Sequence, residues 1–336
     1  MTEIVYGSVI SQKREPILIH WWYTVDRVSL AFVLALYGIG ILLGLAASPP
    51  LAEKNGYLPL HYVNRQLVFG SLAITVMFLF SMLSPKFLRR LGVIGFILSF
   101  TALALLPILG TDFGKGSIRW YSLGFSSLQP SEFLKPFFVI LTAWLISVSF
   151  EINGPPGKII SFVIALIVSI FLVIQPDFGQ ASLILASWGM IYFVAGAPLI
   201  LLLIVAISIF LSGILSYSIS EHFARRIDGF LSMKIDPNTQ IGYATNAIQE
   251  GGIFGVGVGE GIVKNVLPDA HTDFIIAVAA EEFGLLFVLL IIFIYLTITI
   301  RSLFRLIRER NTFIRLAGTG MVVLFASQAL INLGVA

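Results

Sequence analysis

The chain has 336 residues, of which 57% are hydrophobic and only 12% charged, with a formal net charge of +3. Soluble domains sit nearer half apolar and a quarter charged, so a mean hydropathy of +0.96 excludes a water-soluble globule. With no cysteine in the chain, disulfides and thiolate chemistry are excluded too.

The apolar residues fall in continuous runs of about 18 or more, the length a helix needs to cross a bilayer. They do not form the alternating segments of about 10 that build a membrane β-barrel. The expected fold class is all-α: one polytopic membrane helix bundle over residues 1–336, with about nine transmembrane helices.

Residues 1–26 read as a polar lead-in with Lys13 and Arg14. Residues 4–10 are too short for the apolar core of a signal peptide. Trp21, Trp22 and Tyr23 suit an interfacial anchor. Spans are expected at 28–47, 65–83 and 91–109, with a loop at 49–64 and a short basic turn at 84–90. A polar segment, 110–130, leads into a fourth span at 131–150, which already contains Glu132 and Lys135. After a Gly/Pro turn at 151–158, the fifth span ends in a tight hairpin, Gln175-Pro176-Asp177-Phe178-Gly179-Gln180. The sixth ends near Gly196-Ala197-Pro198 and the seventh covers 199–218. The longest loop, 219–272, separates it from the eighth, 273–300. A basic loop with Arg301, Arg305, Arg308, Arg310 and Arg315 then precedes the ninth, 316–335. Neither a tandem repeat nor a pair of inverted halves is evident.

If every span is crossed once, the basic short loops (Lys13/Arg14, Lys86/Arg89/Arg90, Lys158 and the 301–315 arginines) share one side. The positive-inside rule makes that side, with the N-terminus, cytoplasmic. The segments 49–64, 110–130, 175–180 and 219–272 then lie outside. Long translocated loops are nearly exempt from the rule, so Arg225, Arg226, Lys234 and Lys264 do not oppose this topology. Arg119, Gln129, Asp177 and Asp273 all converge on the outer face.

Three polar groups stand out against the hydrocarbon. Asp273 follows Thr272 at the start of a span, where it reads either as a helix-capping carboxylate or as a functional acid. Asp273, Ala277 and Glu281 fall at i, i+4 and i+8, with Glu282 beside them and Glu281 about 12 Å down the axis. Two adjacent acids that deep need a polar cavity or a cation. His271 is a candidate proton or metal partner, although a lone loop histidine is more often simply exposed. The glycine run 251–261 lacks the Lys-Ser/Thr of a phosphate-binding loop and follows no strand, which argues against a nucleotide site. Close packing of a re-entrant or hairpin backbone accounts for it better.

The third group is Arg119, Gln129, Glu132 and Lys135. Glu132 and Lys135 sit at i, i+3, so they are either a mutually neutralising pair or part of a site. Arg119 beside Trp120 either snorkels to headgroups or supplies charge to a pyrophosphate. Asp177 fits turn chemistry, and Gln328 and Asn332 fit hydrogen bonds between helices.

Several of these motifs occur together in one known family. Gly116-Ser117-Ile118-Arg119-Trp120, the 129–135 run QPSEFLK, Gln175-Pro176-Asp177-Phe178-Gly179, the glycines from Gly251, and LPDAHTDF at 267–274 with Glu281-Glu282 appear in family order. The chain resembles the SEDS family (shape, elongation, division and sporulation) from about residue 20 to its end, and its division branch more than its elongation branch. Members have ten spans, the last preceded by a PF-x-SYGGSS-type segment. This chain stops at Gly334-Val335-Ala336, so the expectation is nine spans and an apparent truncation before the last.

The resemblance implies a peptidoglycan glycosyltransferase that polymerises lipid II on the outer face of the bacterial inner membrane during cell division, at the septum. It implies that Asp273 is the essential acid, and a hydroxyl nucleophile needs one general base, the role expected of it. Arg119, Gln129, Glu132 and Lys135 would form the substrate-binding cavity, and His271 and Glu281 beside the acid complete the candidate set. A divalent cation, Mg²⁺ or Mn²⁺, is a possible cofactor. The partners implied are a class B penicillin-binding transpeptidase and other division membrane proteins, with no nucleic acid. The alternatives are a lipid II flippase or transporter and a non-catalytic division scaffold.

Overall fold

The computed structural model describes residues 17–112, 118–124, 126–198, 239–267 and 270–335, with isolated positions between 200 and 228. In chain order the helices are α1 (Ile17–Thr24), α2 (Arg27–Lys54), α3 (His61–Ser81), α4 (Pro85–Leu109), α5 (Pro130–Val148), α6 (Gly157–Ile174), α7 (Phe178–Val194), α8 (Gln240–Gly251), α9 (Ile275–Ile307) and α10 (Thr312–Val335). Seven of the described helices are long and apolar enough to cross a membrane, and α7 is a shorter apolar helix. The expected seventh span, 199–218, lies outside the described residues apart from isolated positions, as do Arg225, Arg226, Lys234, Pro268 and Asp269.

The local sequence explains several helix starts. The Asp26 carboxylate accepts the Val28 N–H at 3.2 Å and opens α2. Ser84 caps α4 through the Phe87 N–H, with Pro85 at the first position, where its missing donor is not needed. Pro130 opens α5 in the same way.

The structure departs from the sequence reading in several places: α4 begins at Pro85, inside the expected basic turn, and α9 and α10 leave only 308–311 of the expected basic loop. Part of the polar lead-in is helical (α1). α2 runs on through Pro49 and Pro50 to Lys54, well past the expected end at residue 47. The 110–130 segment contains a small antiparallel hairpin, β1 (Tyr121–Ser122) and β2 (Ser127–Leu128). The loop 219–272 is not wholly irregular: α8 and a 3₁₀ turn, Val263–Asn265, fold inside it. Thr239 caps α8, and Ala244 and Ala247 are fully buried.

Among the described residues three apolar cores organise the bundle: a small one of Leu43, Ala279, Ala280, Val288 and Ile291, and two that position the site. The larger joins Leu103 and Leu106 of α4, Leu134, Phe138 and Val139 of α5, Val168 and Leu172 of α6, Ile184 and Trp188 of α7, and Phe313 and Leu316 of α10. The second joins Ala46 and Ala47 of α2, Ala244 and Ala247 of α8, Val263, Leu267, Ala270 and Phe274 of the connecting segment, and Ala277 and Val278 of α9. Residues such as Val68, Leu98, Ile108 and Ile159 point apolar side chains outward, as a lipid-facing surface requires.

The contacts also sort the two ends of the bundle. At one end Asp26 pairs with Arg301 at 2.8 Å and Arg305 at 3.4 Å, Trp21 donates to Ser81 at 2.8 Å, and Arg89 stacks over Phe313. At the other end Arg119 meets the 175–177 hairpin, Ser48 donates to the Pro59 carbonyl, and Tyr62 meets His271. The described basic turns thus share one end and the polar knots the other, as the topological reading requires.

α9 is two helices in line, broken at Gly284, whose φ of +80° and ψ of 178° only glycine adopts readily. The glycine-rich segment docks into this break. Val256 N–H donates to the Glu281 carbonyl at 2.9 Å and Gly257 N–H to that of Glu282 at 3.2 Å. In return Leu285 N–H donates to the Gly252 carbonyl at 3.0 Å. A Cβ on Gly284 would collide with the Ile253 carbonyl, and one on Gly255 (φ +82°) with that of Glu282. The glycine run therefore serves close backbone packing, as its sequence suggested. Gly284→Ala is expected to destabilise the protein by about 2–4 kcal/mol, combining backbone strain with overpacking. The measurement is the thermal midpoint in detergent, and an unchanged midpoint would contradict the packing.

Candidate active site at the polar end of the bundle

Asp273 does not begin α9. The helix starts at Ile275, its cap residue Phe274 supplies no side-chain hydrogen bond, and Asp273 sits in the preceding turn. Phe274 and Ala270 anchor that turn in the second core at 4% and 2% exposure. Asp273 between them is exposed, and no described residue engages its carboxylate. The helix-capping role is not what the structure shows. The turn is held by its apolar neighbours, and no described residue occupies the carboxylate oxygens.

His271 lies on the same turn, its ring 4.6 Å from that of Tyr62. The Tyr62 hydroxyl accepts from Asn55 at 2.8 Å, and nearby Tyr57 stacks on His61 at 4.3 Å. The acid-bearing turn therefore abuts an aromatic patch formed by Tyr57 of the α2–α3 connection and His61 and Tyr62 at the start of α3.

Glu281 does not line this surface. It is 1% exposed, and its two oxygens accept the Val263 N–H at 2.7 Å and the Lys264 N–H at 3.2 Å. Glu282, equally buried, pairs with the Lys264 ammonium, which also donates to the Gly259 carbonyl at 3.0 Å. The sequence reading asked what cation offsets two acids inside an apolar run. Lys264, read as a loop residue, is that cation. Its apolar flanks, Ile262-Val263 and Val266-Leu267, were the available signal.

Arg119, Gln129, Glu132 and Lys135 do come together, joined through Asp177, Gln180 and Gln328. Arg119 Nε donates to the Gln175 carbonyl at 3.0 Å and its Nη2 to the Pro176 carbonyl at 2.6 Å, with Nη1 3.9 Å from the Asp177 carboxylate. Gln129 donates to Asp177 at 3.2 Å. Burial pushes the Asp177 carboxyl above its usual range, against the opposing pull of Arg119. Glu132 accepts from Gln180 at 2.7 Å and pairs with Lys135 at 2.8 Å. Lys135 is 2% exposed and also donates to Gln328 at 2.9 Å, which ties α5 to α10. The expected bond between helices at Gln328 is present. Gln180 gave no signal, because nothing in its spacing points at Glu132.

Asp177 is therefore more than a turn residue: it anchors Arg119 and Gln129. Losing Arg119 would remove two charge-assisted hydrogen bonds and strand a buried carboxylate. Arg119→Ala is accordingly expected to cost about 2–4 kcal/mol, discounted for the partial exposure of Arg119. Thermal unfolding in detergent measures it, and a midpoint within error of wild type would show the hairpin is held by other means.

The Asp273 turn and the Arg119–Lys135 network lie at the same end of the bundle. Among the described residues no hydrogen bond or ion pair links them. Also among the described residues, no three His, Cys, Asp or Glu side chains converge as a metal cage. A Mg²⁺ or Mn²⁺ ion at Asp273 would take one protein carboxylate, and oxygens other than those of the described side chains would have to complete its shell.

Residues 27–336 match the family described as cell cycle protein, which groups FtsW, RodA and SpoVE. The chain belongs to this family. A relative from Caulobacter vibrioides, named probable peptidoglycan glycosyltransferase FtsW, is 36% identical over 94% of this chain and 81% of its own length. A relative of the same name from Coxiella burnetii is 31% identical over 94% and 87%. Among solved structures, one titled as structural coordination of polymerization and crosslinking by a peptidoglycan synthase complex superimposes with a TM-score of 0.72 at 24% identity, covering 94% of this chain and 88% of that one. The rod shape determining protein RodA of Thermus thermophilus gives 0.67 at 23%, covering 94% and 86%. These structures share the fold of a multi-pass helical membrane protein with this chain.

Proposed function

We propose that the chain is a peptidoglycan glycosyltransferase that polymerises lipid II at the outer face of the inner membrane, at the division septum. The observation that carries this reading is the exposed Asp273 carboxylate, engaged by no described residue, at the end of the bundle that also holds the Arg119 and Lys135 cations. The relatives' names support the same activity.

The chemistry suits this inventory. The acceptor sugar's 4-hydroxyl oxygen attacks C1 of the donor sugar, its proton passes to Asp273, and the C1–O bond to the diphosphate breaks with inversion. Polyprenyl diphosphate departs with the electron pair. A glycosidase needs a second carboxyl group to protonate a poor leaving group. A diphosphate leaves as an anion and needs positive charge instead. Lys135 uses two of its three ammonium donors on Glu132 and Gln328, which leaves one for a phosphate oxygen. Arg119 keeps guanidinium donors beyond those spent on the hairpin. A bound Mg²⁺ or Mn²⁺, held by Asp273 and the diphosphate, would add further neutralisation.

The polar end of the bundle faces outward and the basic turns face the cytoplasm, together with the N-terminus, by the positive-inside rule. A class B penicillin-binding transpeptidase is the expected partner, with other division membrane proteins around the pair. The test is lipid II polymerisation by the purified chain with that transpeptidase, products resolved on a gel. Glycan polymer is the expected result. Lipid II translocation across vesicles without polymer would favour a flippase instead, and partner binding without either activity would favour a scaffold.

A further inference from the structure

Six glycines between 251 and 261 give the segment before Asp273 high backbone freedom, which must be offset for a catalytic turn to hold one position. The structure concentrates three buried ionisable groups on this task. Glu281 receives two consecutive backbone amides of the 3₁₀ turn, Val263 and Lys264. Lys264 folds back onto the Gly259 carbonyl and pairs with Glu282. All three side chains are at least nine-tenths buried, at 1%, 1% and 8% exposure. Leu267, after the clamped turn, and Ala270 and Phe274, on either side of Asp273, share one core with Ala46, Ala47, Ala244 and Ala247. α9 thus grips the segment twice at the same two residues: the Glu281 and Glu282 carbonyls take the Val256 and Gly257 amides, and their carboxylates hold the 3₁₀ turn and Lys264.

We propose that Lys264, Glu281 and Glu282 are positioning residues that fix the acid-bearing turn, coupling the glycine segment to α9 so that Asp273 is held where the acceptor hydroxyl arrives. This inference rests on the reading of Asp273 as the base. It reassigns Glu281 from substrate contact to support. Glu281→Gln keeps the shape of the side chain but weakens its hold on two amides. Lys264→Met alone leaves Glu282 buried and uncompensated. The double variant Lys264→Met/Glu282→Gln removes the charges together, which buried pairs often tolerate. Lys264→Arg keeps the cation.

The experiment has two arms on the full chain in detergent. Amide hydrogen exchange over residues 255–274 is expected to speed up at least tenfold in Glu281→Gln and in the double variant, with α5–α7 unchanged. Lipid II polymerisation with the transpeptidase is expected to lose at least tenfold in kcat with KM within twofold, and Lys264→Arg is expected to restore most of it. Unchanged exchange in both variants would overturn the clamp. Faster exchange with full kcat would overturn its role in positioning. If wild type makes no polymer while exchange responds as stated, the glycosyltransferase reading fails and the mechanical clamp stands. If Glu281→Gln does not fold, the double variant carries both arms.

Discussion

Asp273→Asn is expected to lower lipid II polymerisation by about 10²–10⁴-fold, the usual contribution of a general base. The fold should survive. Asp273 is exposed and its carboxylate engages no described residue, so the substitution breaks no contact and the stability change should stay within about 0.5 kcal/mol. This combination separates chemistry from structure: a collapsed thermal midpoint would mean the acid supports the turn, and a full-rate variant would sink the assignment. Lipid II binding is a third readout. A base acts on the acceptor hydroxyl in the transition state, so with divalent ions chelated kcat should fall while donor affinity holds.

Lys135→Met is expected to lower kcat/KM by about 10²-fold, comparable to losing one preorganised donor in an anion-stabilising site. Lys135 is 2% exposed, where a cation acts through a lower dielectric than water and its loss is felt strongly. Methionine retains most of the side-chain volume. The Glu132 carboxylate left behind is 40% exposed and remains solvated, so the bundle should stay folded. The paired substitution Glu132→Gln distinguishes a phosphate contact from a structural ion pair. It neutralises the partner and leaves the ammonium in place, so donor binding should hold or tighten. Equal losses from both substitutions, matched by equal losses of stability, would show that the pair serves only packing.

The sequence by itself determined the class of this protein. Apolar runs of spanning length leave only an all-helical bundle, because lipid cannot satisfy an unpaired backbone. The alternation of basic turns and polar knots set which ends belong together, and the Asp26–Arg301 and Arg119–Asp177 contacts agree with it. The i, i+3 spacing of Glu132 and Lys135 was legible as an ion pair for the same reason, since one helix turn fixes it.

Tertiary structure decided the partners that no spacing encodes. Gln180 finds Glu132 and Gln328 finds Lys135 only because α7 and α10 pack on α5. Glu281 stood among the substrate-facing candidates, and the two adjacent acids called for a polar cavity or a cation. Both are spent on the glycine segment and Lys264, because the break at Gly284 lets that segment enter the helix line. Asp273 is freed from helix capping by a start two residues later, where Phe274 is drawn into the apolar core. Period and composition report what one element does alone. Which buried charge meets which, and which acid is left unpaired, depends on how distant segments close on one another.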